Sequence, residues 1–319
     1  AVPAFRLVWQ ILKQGCLRLL YRGIIAVGSP VSGTTGSAIS FGNQTVSGTY
    51  TIKATNTATG CMNNMSGSAV VGTSPLPAIF TVTGGGTYCS GGTGLSVNLN
   101  GSVTGTNYQL YLGGATVGSP VAGTGGILDF GPQTAAGTYT VAAMTTSTTC
   151  ASNMAGSVNI SVNPLPTAYL VTVGGTYCTG GAGVAVGLSG SSTGVIYQLN
   201  IGGVPTGAPV AGTGGPLSFG LQTAGGTYTI LATNTTNGCS VLMTGSALVG
   251  VNSLPTAYSV TGGGNYCPGG TGVTIGLSGS NVANTYQLYR GATAVGTPVL
   301  GTGAAISFGL QTVTGNYTV

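Results

Sequence analysis

The run FGLQTAGGTYTILAT, residues 219–233, leads from one short β-rich segment through a Gly-rich turn into another, and places Tyr228 two residues after Gly226. Tyr50, Tyr139 and Tyr317 hold the same place in their own copies of the run. Each copy opens on a phenylalanine: Phe41, Phe130, Phe219 and Phe308. A single such tyrosine says little, because tyrosine favours strands in general. Four of them beside four phenylalanines point to one structural unit written repeatedly.

Cysteine and proline supply the period. Cys61, Cys150 and Cys239 are 89 residues apart, as are Cys89, Cys178 and Cys267. The phrases SPLPAIF, NPLPTAY and NSLPTAY keep the same interval at Pro77, Pro166 and Pro255. The chain of 319 residues thus divides into an atypical segment 1–19, a partial unit 20–76, full units 77–165 and 166–254, and a partial unit 255–319. Such a period is too long for leucine-rich, ankyrin or propeller-blade repeats, and it suits a small β-sandwich.

Short β-branched and aromatic runs bounded by Gly, Ser, Asn and Pro mark the strands. In unit 166–254 they are AYLVTV as strand A, GVAVGLSG as B, VIYQLNI as C, GAPVAG as a short D, PLSFGLQ as E, TYTILATN as F and GSALVGV as G. The tyrosine that opens F after a tight turn resembles the tyrosine corner of immunoglobulin-like sandwiches, where the ring packs inside and the hydroxyl bonds backbone upstream. Tyr50, Tyr139, Tyr228 and Tyr317 are its candidates. The expected fold is all-β: tandem Ig-like β-sandwiches of about 89 residues, arranged as an elongated string.

Composition narrows the function. Charged side chains make up only 2% of the chain, glycine supplies 61 residues, and the formal charge is +5. Arg6, Lys13, Arg18 and Arg22 crowd the first 22 residues, leaving Lys53 and Arg290 for the rest, so there is no basic face for nucleic acid. Apolar runs never reach the length of a spanning helix, and the strand spacing matches a porin-like barrel poorly. Disorder fits badly with 42% apolar residues recurring in register.

Catalytic groups are nearly missing. With no histidine, no glutamate and Asp129 as the single acid, neither a paired-carboxylate site nor a Ser-His-Asp triad can be assembled. Lys13 and Lys53 are the only side-chain amines that could activate a hydroxyl. Carboxylate calcium sites are excluded by the same acid count. Gly-rich phrases such as GGGTYCSGGTG are followed by neither the lysine nor the helix of a phosphate loop and read as loops and turns, and the cysteines lack the paired spacing of a zinc site. No enzyme, cofactor or metal is expected.

The string GGGNYCPGGTGVTIGLSGS, continued by YQLYRG, GTPVLGTG, ISFGLQT and GNYTV, resembles the Ig-like or PKD-like tandem repeats of very large bacterial cell-surface and secreted proteins, best known from gliding and polymer-degrading Bacteroidetes. The resemblance covers residues 20–319 and implies stalks, adhesins or extracellular fibres. Residues 1–19 depart from it: they hold the only tryptophan, Trp9, with three of the six basic residues. An amphipathic helix and a frameshifted gene edge are the two readings of this segment, the second being the more economical.

Cys61, Cys89, Cys150, Cys178, Cys239 and Cys267 are the disulfide candidates, with Cys16 outside the period. Disulfides imply an oxidising, extracellular home. Pairing within a unit, Cys89 to Cys150 and Cys178 to Cys239, would stabilise by roughly 4 kcal/mol on the chain-entropy model. In an Ig sandwich, however, the A–B and F–G loops lie at opposite ends, and bridged Cα atoms must lie within about 7 Å. A staple from Cys89 to Cys239, across a junction of successive units, is the alternative; spacing does not choose between them.

The expected function is a non-enzymatic extracellular structural protein whose repeats form a fibre, filament or surface stalk, held in line by stiff proline linkers. Uncharged strand edges favour self-association, and the partial units leave unfinished sheets open to strand donation. The alternative is a cell-surface adhesin that binds glycans or solid surfaces through loops and exposed tyrosines, with Tyr88, Tyr177 and Tyr266 as candidate rings. The phrase YQLYRGATAV, residues 286–295, recurs because it is strand C and its turn in a tandem module.

Overall fold

In the computed structural model, the described residues are 5–9, 15–33 and 38–319, the first five by backbone alone. The chain forms two compact units, Ala1–Pro164 and Leu165–Val319. Strand is the regular structure throughout the described residues.

The second unit contains a complete Ig-like sandwich. One sheet joins Val171–Val173 (A), Val184–Leu188 (B) and Leu217–Gln222 (E). The other joins Gly175–Cys178 (A′), Ala247–Asn252 (G), Gly226–Asn234 (F) and Val195–Ile201 (C), and ends on the C′ segments Val204–Pro205 and Val210–Ala211. Inward residues of both sheets alternate with outward polar ones, so Val186, Leu188, Tyr197, Leu199, Tyr228, Ile230 and Val249 form one dry layer. Each of these large side chains contributes roughly 1.5–3 kcal/mol by leaving water.

The first unit repeats the plan. Val82–Gly84, Leu95–Leu99 and Leu128–Gln133 make its A, B and E. Gly86–Cys89, Val158–Asn163, Gly137–Thr145, Thr106–Leu112 and Ala115–Ala122 make A′, G, F, C and C′. Ahead of it, Cys16–Arg22, Ile25–Ser32, Ile39–Gln44, Gly48–Asn56 and Ala69–Val71 occupy the C, C′, E, F and G places of a further sandwich.

Four local readings of the sequence are corrected. The GTYC phrase, taken there as loop, is strand A′, paired in parallel with G. Strand A reaches it by leaving one sheet for the other at Gly84-Gly85 or Val173-Gly174, where the backbone adopts positive φ. A Cβ at Gly84 would come within 2.2 Å of the Ser96 carbonyl oxygen, so the switch runs close against strand B. GAPVAG, read as a short D, instead pairs with C as part of C′. Ser240–Leu242, left unassigned, pairs with F. Finally, Phe5–Trp9 is a strand rather than a helix, antiparallel to Ile39–Gln44 in the place that B takes in the complete sandwiches; the rest of residues 1–14 lies outside the described residues.

Hydrogen bonds explain why YQL recurs. A bulge interrupts the C–C′ ladder between Tyr108 and Leu110, and the Gln109 Nε2 donates to the Leu110 and Val117 carbonyls at 2.9 Å each. Gln198 and Gln287 repeat the clamp. A bulge leaves ladder groups unpaired, and the amide supplies the missing donor. The tyrosine beside it, buried at Tyr108 and Tyr197 and half-buried at Tyr286, ties down the end of the B–C loop: its hydroxyl oxygen accepts from the amide of Val103, Ser192 or Asn281 at 2.8–3.0 Å. Arg18 holds the place of Tyr108 in the first sandwich, pairing with Val31 as Tyr108 does with Val121. It is buried, donates to the Cys16 carbonyl, and leaves its Nε without a partner among the described residues.

Val173 carries a φ of +70°, where the other two A–A′ switches have Gly84 and Gly262. Left-handed backbone at a side-chain-bearing residue costs roughly 1–2 kcal/mol, and the Val173 side chain is 64% exposed, so little packing offsets the strain. Val173→Gly should therefore raise the stability of its sandwich by about 0.5–1 kcal/mol after the added unfolded-state entropy of glycine. Denaturant unfolding of the two chains measures it.

Candidate functional site

The residues singled out by the repeat converge on the turn between E and F. The hydroxyls of Tyr50, Tyr139, Tyr228 and Tyr317 donate to the carbonyls of Val46, Ala135, Ala224 and Val313 at 2.7–2.9 Å, each four residues upstream. A positive-φ glycine two residues earlier, such as Gly226, turns the chain so that the ring faces inward. Tyr50, Tyr139 and Tyr228 are fully enclosed, whereas Tyr317 is half-buried.

A second ring grips the same turn, from strand A′ in the two complete sandwiches and from the matching residues 264–267 in the last segment. The hydroxyls of Tyr88, Tyr177 and Tyr266 donate to the carbonyls of Thr134, Thr223 and Thr312, each immediately before the carbonyl held by the corner tyrosine. Two phenols therefore hold two consecutive carbonyls, and A′ is tied to the E–F turn across the end of the sandwich. Burial pushes the phenols of Tyr139 and Tyr228 above the ordinary tyrosine range, and the neighbouring phenols of Tyr88 and Tyr177 push in the same direction. Tyr88, Tyr177 and Tyr266 are half-buried by this arrangement, so they do not stand out as free rings for a ligand.

The recurrent cysteines flank the ends of the F–G–A′ ribbon. In the sandwich of the second unit, Cys178 closes A′ opposite Asn252 at the end of G, while Cys239 lies in the turn after F. Tyr228 of F faces Ala247 at the start of G, and F runs on to Asn234 beyond it. Strand rise separates the two cysteines by roughly 35 Å, far outside disulfide reach. Cys89 and Cys239 are in disulfide form, and Cys16, Cys61, Cys150, Cys178 and Cys267 are free thiols. Both bridges of the intraunit scheme therefore lack a partner.

Little acid–base chemistry is available around these groups. Asp129 accepts from the Gly131 amide at 2.8 Å within its own turn, and Lys53 stands over the Tyr21 ring with its Nζ 4.9 Å from the centroid. What the sequence could not indicate was the A′ tyrosine's hydrogen bond, since GTYC reads as loop; its only signal was the strict interval between Tyr88, Tyr177 and Tyr266.

No family model matches the chain, and no curated protein matches it. Among solved structures, it is similar to Sidekick-1 immunoglobulin domains 1–4, at 13% identity over 97% of this chain and 87% of that one, with a TM-score of 0.27. The N-terminal eight Ig domains of Down Syndrome Cell Adhesion Molecule match at 15% identity over 98% of this chain and 49% of that one, TM-score 0.32. The FN1–FN3 domains of chicken CNTN1 match at 11% over 78% and 96%, TM-score 0.26. Likeness at this level carries nothing further, and the Ig-like fold stands on the strand pairing.

Tyr139→Phe and Tyr228→Phe each leave a turn carbonyl without its donor and should cost about 1 kcal/mol. A raised phenol makes stability complete below the unfolded pKa of about 10 and progressively lost as pH climbs through and beyond it, because the unfolded chain gives up the proton first. The double Phe variant should lose less stability than the parent between neutral and strongly alkaline pH. Melting curves across that range compare the two slopes.

Proposed function

We propose that the chain is a non-enzymatic extracellular scaffold, in which Ig-like sandwiches repeated at an 89-residue interval build a fibre, filament or surface stalk. The observation that carries this reading is the pair of complete sandwiches in which the side chains that recur from unit to unit are spent on holding turns, bulges and sheet ends, with no histidine or glutamate and one acid in the whole chain. Uncharged strands leave edges open to pairing with other chains, which supports self-association. The adhesive alternative has weaker support, because the rings best placed to serve it, Tyr88, Tyr177 and Tyr266, spend their hydroxyls on the E–F turn.

Cysteine chemistry supports an oxidising, extracellular setting. With the recurrent cysteines at opposite ends of each sandwich, the pairing we favour is Cys89 with Cys239, a staple between successive sandwiches. Closing that loop would stabilise by roughly 5 kcal/mol on the chain-entropy model. Peptide mapping without reductant should recover a Cys89–Cys239 peptide that vanishes on reduction, and a Cys89–Cys150 or Cys178–Cys239 peptide would refute the staple. Negative-stain imaging of purified material should show regular filaments; isolated short particles at every concentration would count against assembly.

A further inference from the structure

The outward face of the C–F–G sheet differs between the two complete sandwiches. In the second unit it carries Ile196 on C, Leu231 on F, Leu242 on the short strand Ser240–Leu242, and Leu248 on G. One period earlier, the same places hold Asn107, Ala142, Asn153 and Asn159. The pairing is the same in both: Leu231 faces Leu242 as Ala142 faces Asn153, and Thr227 faces Leu248 as Thr138 faces Asn159. The fold therefore does not require apolar residues at these places.

The core does not use them either. Their neighbours along the strands, among them Tyr197, Ile230, Met243 and Val249, are buried, and strand alternation turns the four aliphatic residues to the other side. Ile196, Leu242 and Leu248 are 37%, 58% and 63% exposed. Leu231 and Leu242 stand about 5 Å apart as a direct cross-strand pair, with Ile196 one diagonal step away. Leu248 lies roughly 13 Å farther along F. An exposed apolar row on a sheet that the fold would accept as asparagine marks an interaction surface.

Charge and size name the occupant. Arg290 is the only charged side chain in residues 165–319, and it lies outside this sandwich. A charged partner would be desolvated here without a counter-charge, whereas an identical face brings no charge to bury. The strands of this sheet cover roughly 500 Å² in plane, and the side chains standing on them bring the accessible area into the range of about 600–1,000 Å² that each partner gives a standard interface. We propose that this face joins two copies of the chain, the outward C–F–G sheets of their 166–254 sandwiches stacking about a twofold axis. The sheets pack about 10 Å apart with their side chains interdigitated, as the inner faces of one sandwich do, and by symmetry each aliphatic residue is buried twice. The contact deepens the scaffold reading, on which it rests for its extracellular setting, by naming a lateral join; the dimer itself needs neither filament nor staple.

Sedimentation velocity of the full chain over a concentration series should show a reversible monomer–dimer equilibrium. The double variant Leu242→Asn, Leu248→Asn installs what the other complete sandwich holds at those places, so it should keep its melting temperature while its dimer weakens by roughly a hundredfold or more. Leu221→Asn, at a residue 58% exposed on strand E of the opposite sheet, should leave the dimer intact. A chain that stays monomeric at every concentration, a dimer that survives the double variant, or one lost equally with Leu221→Asn overturns the face. Filaments without such dimers overturn the face and leave the scaffold reading standing. Dimers that depend on Leu242 and Leu248 but never extend to filaments support the face and count against the filament, so either proposal can fail alone.

Discussion

A chain with almost no charge must satisfy its buried polar groups with backbone and neutral side chains, and that constraint shapes every recurrent position here. An unpaired buried amide or carbonyl costs about 1–3 kcal/mol, so each turn and bulge inside the sandwich needs a dedicated partner. Ser102, Ser191 and Ser280 show the economy of the solution. Each buried hydroxyl donates to one loop carbonyl and accepts from one loop amide, at 2.6–3.0 Å. Glutamine does the same for the C–C′ bulge, and tyrosine for the E–F turn. Because none of these groups is ionised near neutral pH, the network is indifferent to salt and to moderate changes of pH.

The double grip on the E–F turn couples the two sheets. Tyr139 belongs to F and Tyr88 to A′, and their carbonyl partners, Ala135 and Thr134, follow strand E of the other sheet. Moving A′ therefore disturbs the turn on which the corner tyrosine depends. Where the turn is held from one side only, as at Tyr50, the described residues show the corner bond alone.

How much of this could be read in advance follows from where the information resides. The corner tyrosines, the 89-residue interval and strands B, C, E, F and G were legible, because each is a local pattern of apolar residues bounded by turn residues. Strand A′ was not: its pattern, GTYC, holds one large apolar residue, and its strand geometry comes from a partner more than 70 residues away in sequence. C′ was misread as D for a related reason, since GAPVAG carries no mark of which sheet it joins and the deciding contact is the pairing of Val210 and Ala211 with Tyr197 and Ile196 on strand C. Arg18 sits in a core position because its neighbours in the strand, Leu20 and Tyr21, fix the register, whatever the residue itself prefers.

The tetrapeptides GTYC and GNYC differ in what stands beside them. Nearly identical tetrapeptides are strand at residues 86–89 and 175–178 and not at 264–267. Asn265 stands where the other two have Thr87 and Thr176, which lowers strand propensity, and among the described residues no strand pairs with it in parallel as residues 160–163 and 249–252 do with GTYC. In this architecture G is the element that converts the free edge of F into an interior strand and gives A′ its ladder, whereas the tyrosine's bond to the E–F turn forms with or without it, since Tyr266 reaches Thr312 as Tyr88 reaches Thr134.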